Sequence, residues 1–154
     1  MRAAHAELAP DGFPFLLDPD LTWAEQLARI DLDARGVDLR RGQVPADFLL
    51  AVVDGAVVGR VSIRYALTPP LLELGGHVGY AVRPAYRDRG YATAMLRLSL
   101  RRLAGRGVSE VLVTCGEDNP RSSKVIERCG GQLEDVREVA VGVPATRRYR
   151  LRAG

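Results

Sequence analysis

The sequence predicts an α/β fold built on a mixed sheet. Three features carry that reading. Between residues 76 and 129 an apolar strand, a helix, a second apolar strand and a second helix follow one another, which calls for parallel neighbours joined by a crossover helix. Upstream, Asp54-Gly55 separates two apolar runs, a strong two-residue hairpin signal. Downstream, two more strand patterns are bracketed by Gly130-Gly131 and by Gly142 to Pro144, so paired strands close the sheet.

Taken in order, residues 3 to 8 read as a short first strand. Leu21 through Arg35 carries Leu21, Trp23, Ala24, Leu27, Ala28 and Ile30 on a helical period, with Thr22 placed as N-cap and Gly36 as stop. The polar stretch to Pro45 reads as a loop or a second short helix. Phe48 to Val53 and Ala56 to Tyr65 form the arms of the hairpin, and Gly76 to Val82 is the next strand. Tyr91 to Arg106 is a helix with Met95, Leu96, Leu98, Leu100 and Leu103 on its apolar side, stopped by Gly105 and Gly107. Val108 to Cys115 reads as a buried strand. Pro120 to Arg128 is a short helix whose N-cap is Asn119, with proline at the first helical position. Gln132 to Val141 and Ala145 to Leu151 are the closing strands. No repeat, low-complexity tract or linker interrupts the chain.

At 154 residues the chain has the size of one domain, and its apolar and charged fractions are those of a globular protein. No run approaches the ~20 apolar residues that span a bilayer, and Glu7, Pro10 and Asp11 interrupt any signal-like start. A cytoplasmic location is the expectation. Cys115 and Cys129 lack metal-type spacing, so reduced structural thiols are expected rather than a disulfide or a metal site. A net charge of +3 is mild, and arginines are scattered among Asp and Glu, so neither nucleic acid nor membrane is expected as a partner.

The most informative segment is Val82-Arg-Pro-Ala-Tyr-Arg87-Asp-Arg-Gly90-Tyr-Ala92-Thr-Ala-Met-Leu96. A strand end, an arginine-rich turn and a helix start follow without a break, with small residues where backbone amides would approach a ligand. Such a turn is suited to an anion, a diphosphate above all. It is neither a nucleoside-triphosphate loop nor a dinucleotide turn. The segment Arg87-x-x-Gly90-x-Ala92 resembles the pyrophosphate-binding signature of the GCN5-related N-acetyltransferase family. Asn119-Pro-Arg-Ser122, followed by a short helix ending at Gly130, resembles the family's next motif at the family's spacing, and Gly75-Gly-His-Val-Gly-Tyr80 and Arg147-Arg-Tyr149 resemble a bacterial branch of predicted acetyltransferases.

The resemblance covers nearly the whole chain and implies a central sheet of about six or seven strands, helices on both faces, and a splayed parallel pair that admits acetyl-coenzyme A at its C-terminal ends. It implies that Arg87, Asp88, Arg89, Gly90, Tyr91, Ala92 and Thr93 surround the diphosphate, that Tyr80, Ala81 and Val82 bond the pantetheine arm, and that Asn119 and Ser122 touch the cofactor. Arg121 or Lys124 would stand near the 3′-phosphate. Each has a plainer reading: a solvated turn, ordinary strand bonding, a helix cap, a surface charge.

The catalytic set is less defined. A protonated amine needs a base or a water path; His77 is one candidate and Glu73 another, although strand alternation puts His77 on the face opposite Val78 and Tyr80. The family's leaving-group tyrosine corresponds here to Ile126, so Tyr80, Tyr149 or water would substitute. The reading is an enzyme that acetylates a primary amine of a small molecule or peptide by direct attack in a ternary complex, with no metal and with a homodimer left open. Its competitors are a non-catalytic acyl-coenzyme A sensor of the same fold and, motivated only by charge, a small nucleic-acid-binding domain.

Overall fold

A computed structural model describes residues 2–138 and 140–154. Residues Arg2–Leu8 form α1, where a first strand was expected. The alanine-rich sequence favours helix, and Ala4 and Leu8, four apart, both turn inward against Phe15 and Leu16. His5 Nδ1 accepts the Leu16 N–H at 3.3 Å, closing the segment back on itself.

Helix α2 spans Trp23–Arg35. Its start is a capping box, Thr22 accepting from the Glu25 N–H while the Glu25 carboxylate accepts from the Thr22 N–H at 2.8 Å. The helix forms over the expected span, yet Trp23 and Leu27 are exposed and Gln26 is the buried residue, its amide donating to the Asp18 carbonyl. The stretch after Gly36 is loop.

Strands β1 (Ala46–Val53) and β2 (Ala56–Arg64) are the expected hairpin, with Asp54 and Gly55 both at positive φ. A short helix α3 (Pro69–Glu73) precedes β3 (Val78–Val82). Helix α4 (Tyr91–Ala104) leads to β4 (Glu110–Gly116), then α5 (Pro120–Arg128), β5 (Gln132–Arg137) and β6 (Thr146–Arg152). The strand expected to run to Val141 stops at Arg137, and Val139 lies outside the described residues.

The six strands among the described residues do not make one continuous sheet. They form two antiparallel sheets of three, ordered β1-β2-β3 and β4-β6-β5. The sheets meet at His77 and Leu112: the His77 N–H donates to the Leu112 carbonyl at 2.7 Å, and the Leu112 N–H donates to His77 Nδ1 at 2.9 Å. An imidazole thus takes the place of a ladder carbonyl. Gly76 makes the approach feasible, since its φ is +59° and a Cβ there would lie 2.5 Å from the Leu112 carbonyl oxygen. Beyond that junction β3 and β4 belong to different sheets, and the end of β3 and the residues that follow β4, Asp118 and Asn119, reach one cleft. Val61, Ile63, Val78, Leu96, Leu103, Val111, Val113, Ile126 and Tyr149 form the main core beneath it.

Candidate active site

The cleft holds about 1060 Å³ and opens between the end of β3, the start of α4 and the first turns of α5. Of the expected cofactor residues, Tyr80, Ala81, Val82, Arg87, Asp88, Gly90, Tyr91, Ala92, Thr93, Asn119 and Ser122 all line it. Arg89 does not; its guanidinium lies over the Tyr86 ring at 5.8 Å.

The turn is shaped by two left-handed residues, Asp88 at φ +60° and Gly90 at φ +81°. Alternating hands point successive amides into one concavity. Among the described residues no protein group accepts from the N–H groups of residues 88 to 93, and Gly90, the N-cap, offers no side chain to do so. A Cβ at Gly90 would meet nothing within 4 Å. Six free amides at the start of a 14-residue helix make a strong anion cradle.

Arg87 shapes this loop as well as lining the cleft. Its Nε donates to the Val82 carbonyl at 3.1 Å and its other end pairs with Asp11. Arg83 makes a similar tie to Glu7 at 2.7 Å. These two links, each joining residues 76 apart, hold the N-terminal segment against the end of β3, so that Pro10, Asp11 and Phe13 become part of the cleft wall. Sequence reading missed that wall, because no local pattern announces a partner so distant. On the opposite side Arg121, Lys124 and Arg128 share one face of α5. Asn119 caps that helix, its Oδ1 accepting the Ser122 N–H at 3.1 Å, which leaves its amide nitrogen free.

The Tyr80 and Ser122 hydroxyls stand 2.9 Å apart across the cleft. Burial pushes the Tyr80 phenol well above its usual range, so it keeps its proton at any physiological pH. Tyr149 is fully buried and donates to Glu127 at 3.2 Å; Ile126 is core. The two expected base candidates are not in the cleft. His77 is buried at the sheet junction, where desolvation lowers its pKa and Leu112 occupies the Nδ1 lone pair. Glu73 sits at the surface, 2.5 Å from Arg137. Cys115 is buried with its thiol pKa raised by desolvation, which favours the inert thiol form.

One further group stands near the cleft wall. Arg60 of β2 is only 5% exposed and pairs in register with Ala81. Its guanidinium packs on the rings of Phe13, at 4.4 Å, and Phe48, at 3.9 Å. Desolvation and the nearby Arg64 push its pKa down to about 9.

Residues 2–132 match the acetyltransferase (GNAT) domain family. An L-2,4-diaminobutyric acid acetyltransferase of Nocardia farcinica is 34% identical over 134 residues, covering 79% of this chain and 68% of its own. Among solved structures, Mycobacterium smegmatis RimJ in complex with CoA-disulfide superposes with a TM-score of 0.70 at 17% identity, covering 99% of this chain and 77% of that one. RimL, a ribosomal L7/L12 alpha-N-protein acetyltransferase, superposes with a TM-score of 0.66 at 20% identity over 98% of this chain and 83% of that one. The fold is thus that of an acetyl-coenzyme A-dependent transferase. The chain belongs to the GNAT acetyltransferase family.

Proposed function

We propose that the 154 residues act as a single N-acetyltransferase domain, which transfers acetyl from acetyl-coenzyme A directly to a primary amine. The run of six unpaired amides at the start of α4 carries this reading, because amides without a protein acceptor at a helix start suit a diphosphate. In this account residues 88 to 93 hold the diphosphate through their backbone. Tyr80, Ala81 and Val82 line the pantetheine arm, and Asn119 and Ser122 meet it from the other side.

The amine nitrogen attacks the thioester carbonyl, an N–C bond forms, and the C–S bond breaks as the thiolate leaves. The ammonium proton passes to solvent through the open cleft, and the thiolate takes up one proton in turn. His77 and Glu73 have no part in this, since both stand away from the cleft, and bulk water serves as the base. Tyr80 assists as a hydrogen-bond donor: a phenol of raised pKa cannot give its proton to a thiolate whose conjugate acid lies near ~8.5, but it can stabilise the charge. A diamino acid is an acceptor of the kind named for the Nocardia relative, and a protein N-terminus is of the kind named for RimL.

Thiol release with acetyl-coenzyme A across a library of amines, amino acids and peptide N-termini tests this reading. Turnover of at least one primary amine is expected. Ile126 at the family's tyrosine position favours one rival, a non-catalytic acyl-coenzyme A sensor. Tight binding without turnover on the full library would establish that rival.

A further inference from the structure

Arg60 is a charge without a counter-charge. Among the described residues no carboxylate lies within ion-pair distance of it, its Nε has no hydrogen-bond partner, and no other hydrogen bond reaches its guanidinium. Its neighbour on the same strand face, Arg64, is positive too and donates to the Gly76 carbonyl at 3.1 Å. Two aromatic faces attract a guanidinium, but they offer no acceptor in place of the water that burial has stripped from Nε. Buried charges persist where something pairs with them.

Position says what that something is. Phe13 both covers the Arg60 guanidinium and lines the cleft, and Ala81, the cross-strand partner of Arg60, lines it as well. The guanidinium therefore sits one ring behind the wall along which the acyl arm is placed. An acceptor group in the cleft reaches it only if the Phe13 ring turns aside.

We infer that Arg60 anchors a carboxylate of the acceptor, so that the amine acetylated here belongs to a small molecule of the amino-acid class. This rests on the acetyl-transfer reading above and adds to it the chemistry of the second substrate. A planar fork of N–H donors binds a carboxylate through two parallel bonds, which fixes the orientation of the attached amine as well as its affinity.

The test is thiol release by the wild-type protein with L-ornithine, L-lysine and glycine, each against its carboxamide. At least one acid should exceed its amide in kcat/KM by about a hundredfold, the cost of leaving a desolvated charge unpaired. Arg60→Met should bring that ratio close to one while coenzyme A affinity, read by titration, stays within about threefold. Arg60→Lys, which keeps the charge without the fork, should give an intermediate ratio and serves if the methionine variant does not fold. Equal turnover of acid and amide by the wild type, an unchanged ratio in both variants, or turnover of the amides without the acids would overturn the inference alone, whereas coenzyme A binding with no turnover of any amine would overturn it together with the acetyl-transfer reading. Failure of the wild type to bind coenzyme A would overturn the acetyl-transfer reading and this inference together.

Discussion

His77 shows how a residue's type can suggest one role and its setting give it another. A histidine on a central strand is an obvious base, but here its ring nitrogen is an acceptor for the Leu112 N–H, and it holds two sheets together. His77→Ala should leave that buried N–H unpaired and destabilise the protein by about 1–3 kcal/mol. The effect on pH dependence is also defined. Burial lowers the folded-state pKa, so the unfolded chain binds the extra proton more readily, and the stabilisation present above about pH 6.5 is lost as pH falls toward the folded value. Denaturant melts of wild type and variant between pH 7 and pH 5 should show a shallower acid loss in the variant, with the pH profile of acetylation unmoved. A variant of wild-type stability whose turnover drops at neutral pH and recovers at high pH would restore His77 as the base.

At the scale of elements, the motifs that read clearly in the sequence are those whose chemistry is local. The Asp54-Gly55 hairpin, the Thr22 cap and the Asn119-Pro120 helix start each depend on a few adjacent residues, and all three stand where expected. What was not legible depends on distant partners. Ala3 to Leu8 alternates enough to pass for a strand, and only packing against Phe15 and Leu16 marks Ala4 and Leu8 as one face of a helix. Likewise the junction of the two sheets rests on Gly76 and His77 meeting Leu112, a pairing across 35 residues. Gly76→Ala tests that junction. The new Cβ would strike a backbone carbonyl at a left-handed position, so β3 and β4 must part or strain, and stability measured by urea unfolding should fall by at least about 2 kcal/mol. Wild-type stability would mean that the two sheets are not held at that contact.

For the molecule as a whole, the splay of β3 from β4 produces the cleft, α4 supplies its anion cradle, and the N-terminal segment, pinned by Arg83 and Arg87, supplies a wall and covers Arg60. That the expected cofactor residues share one cleft was legible because glycine and small residues at a helix start have a local meaning. The cluster proposed for the acceptor was not, since Phe13, Phe48 and Arg60 come from three separate stretches and form no motif. The central claim is that coenzyme A binds with its diphosphate on the amides of residues 88 to 93, and calorimetric titration of coenzyme A into wild type and Gly90→Asp tests it most directly. The substitution adds a negative charge in open space at the cradle, so the account predicts a folded variant whose affinity falls by well over tenfold, a loss above ~1.4 kcal/mol. A folded Gly90→Asp protein that binds coenzyme A as tightly as wild type would contradict it.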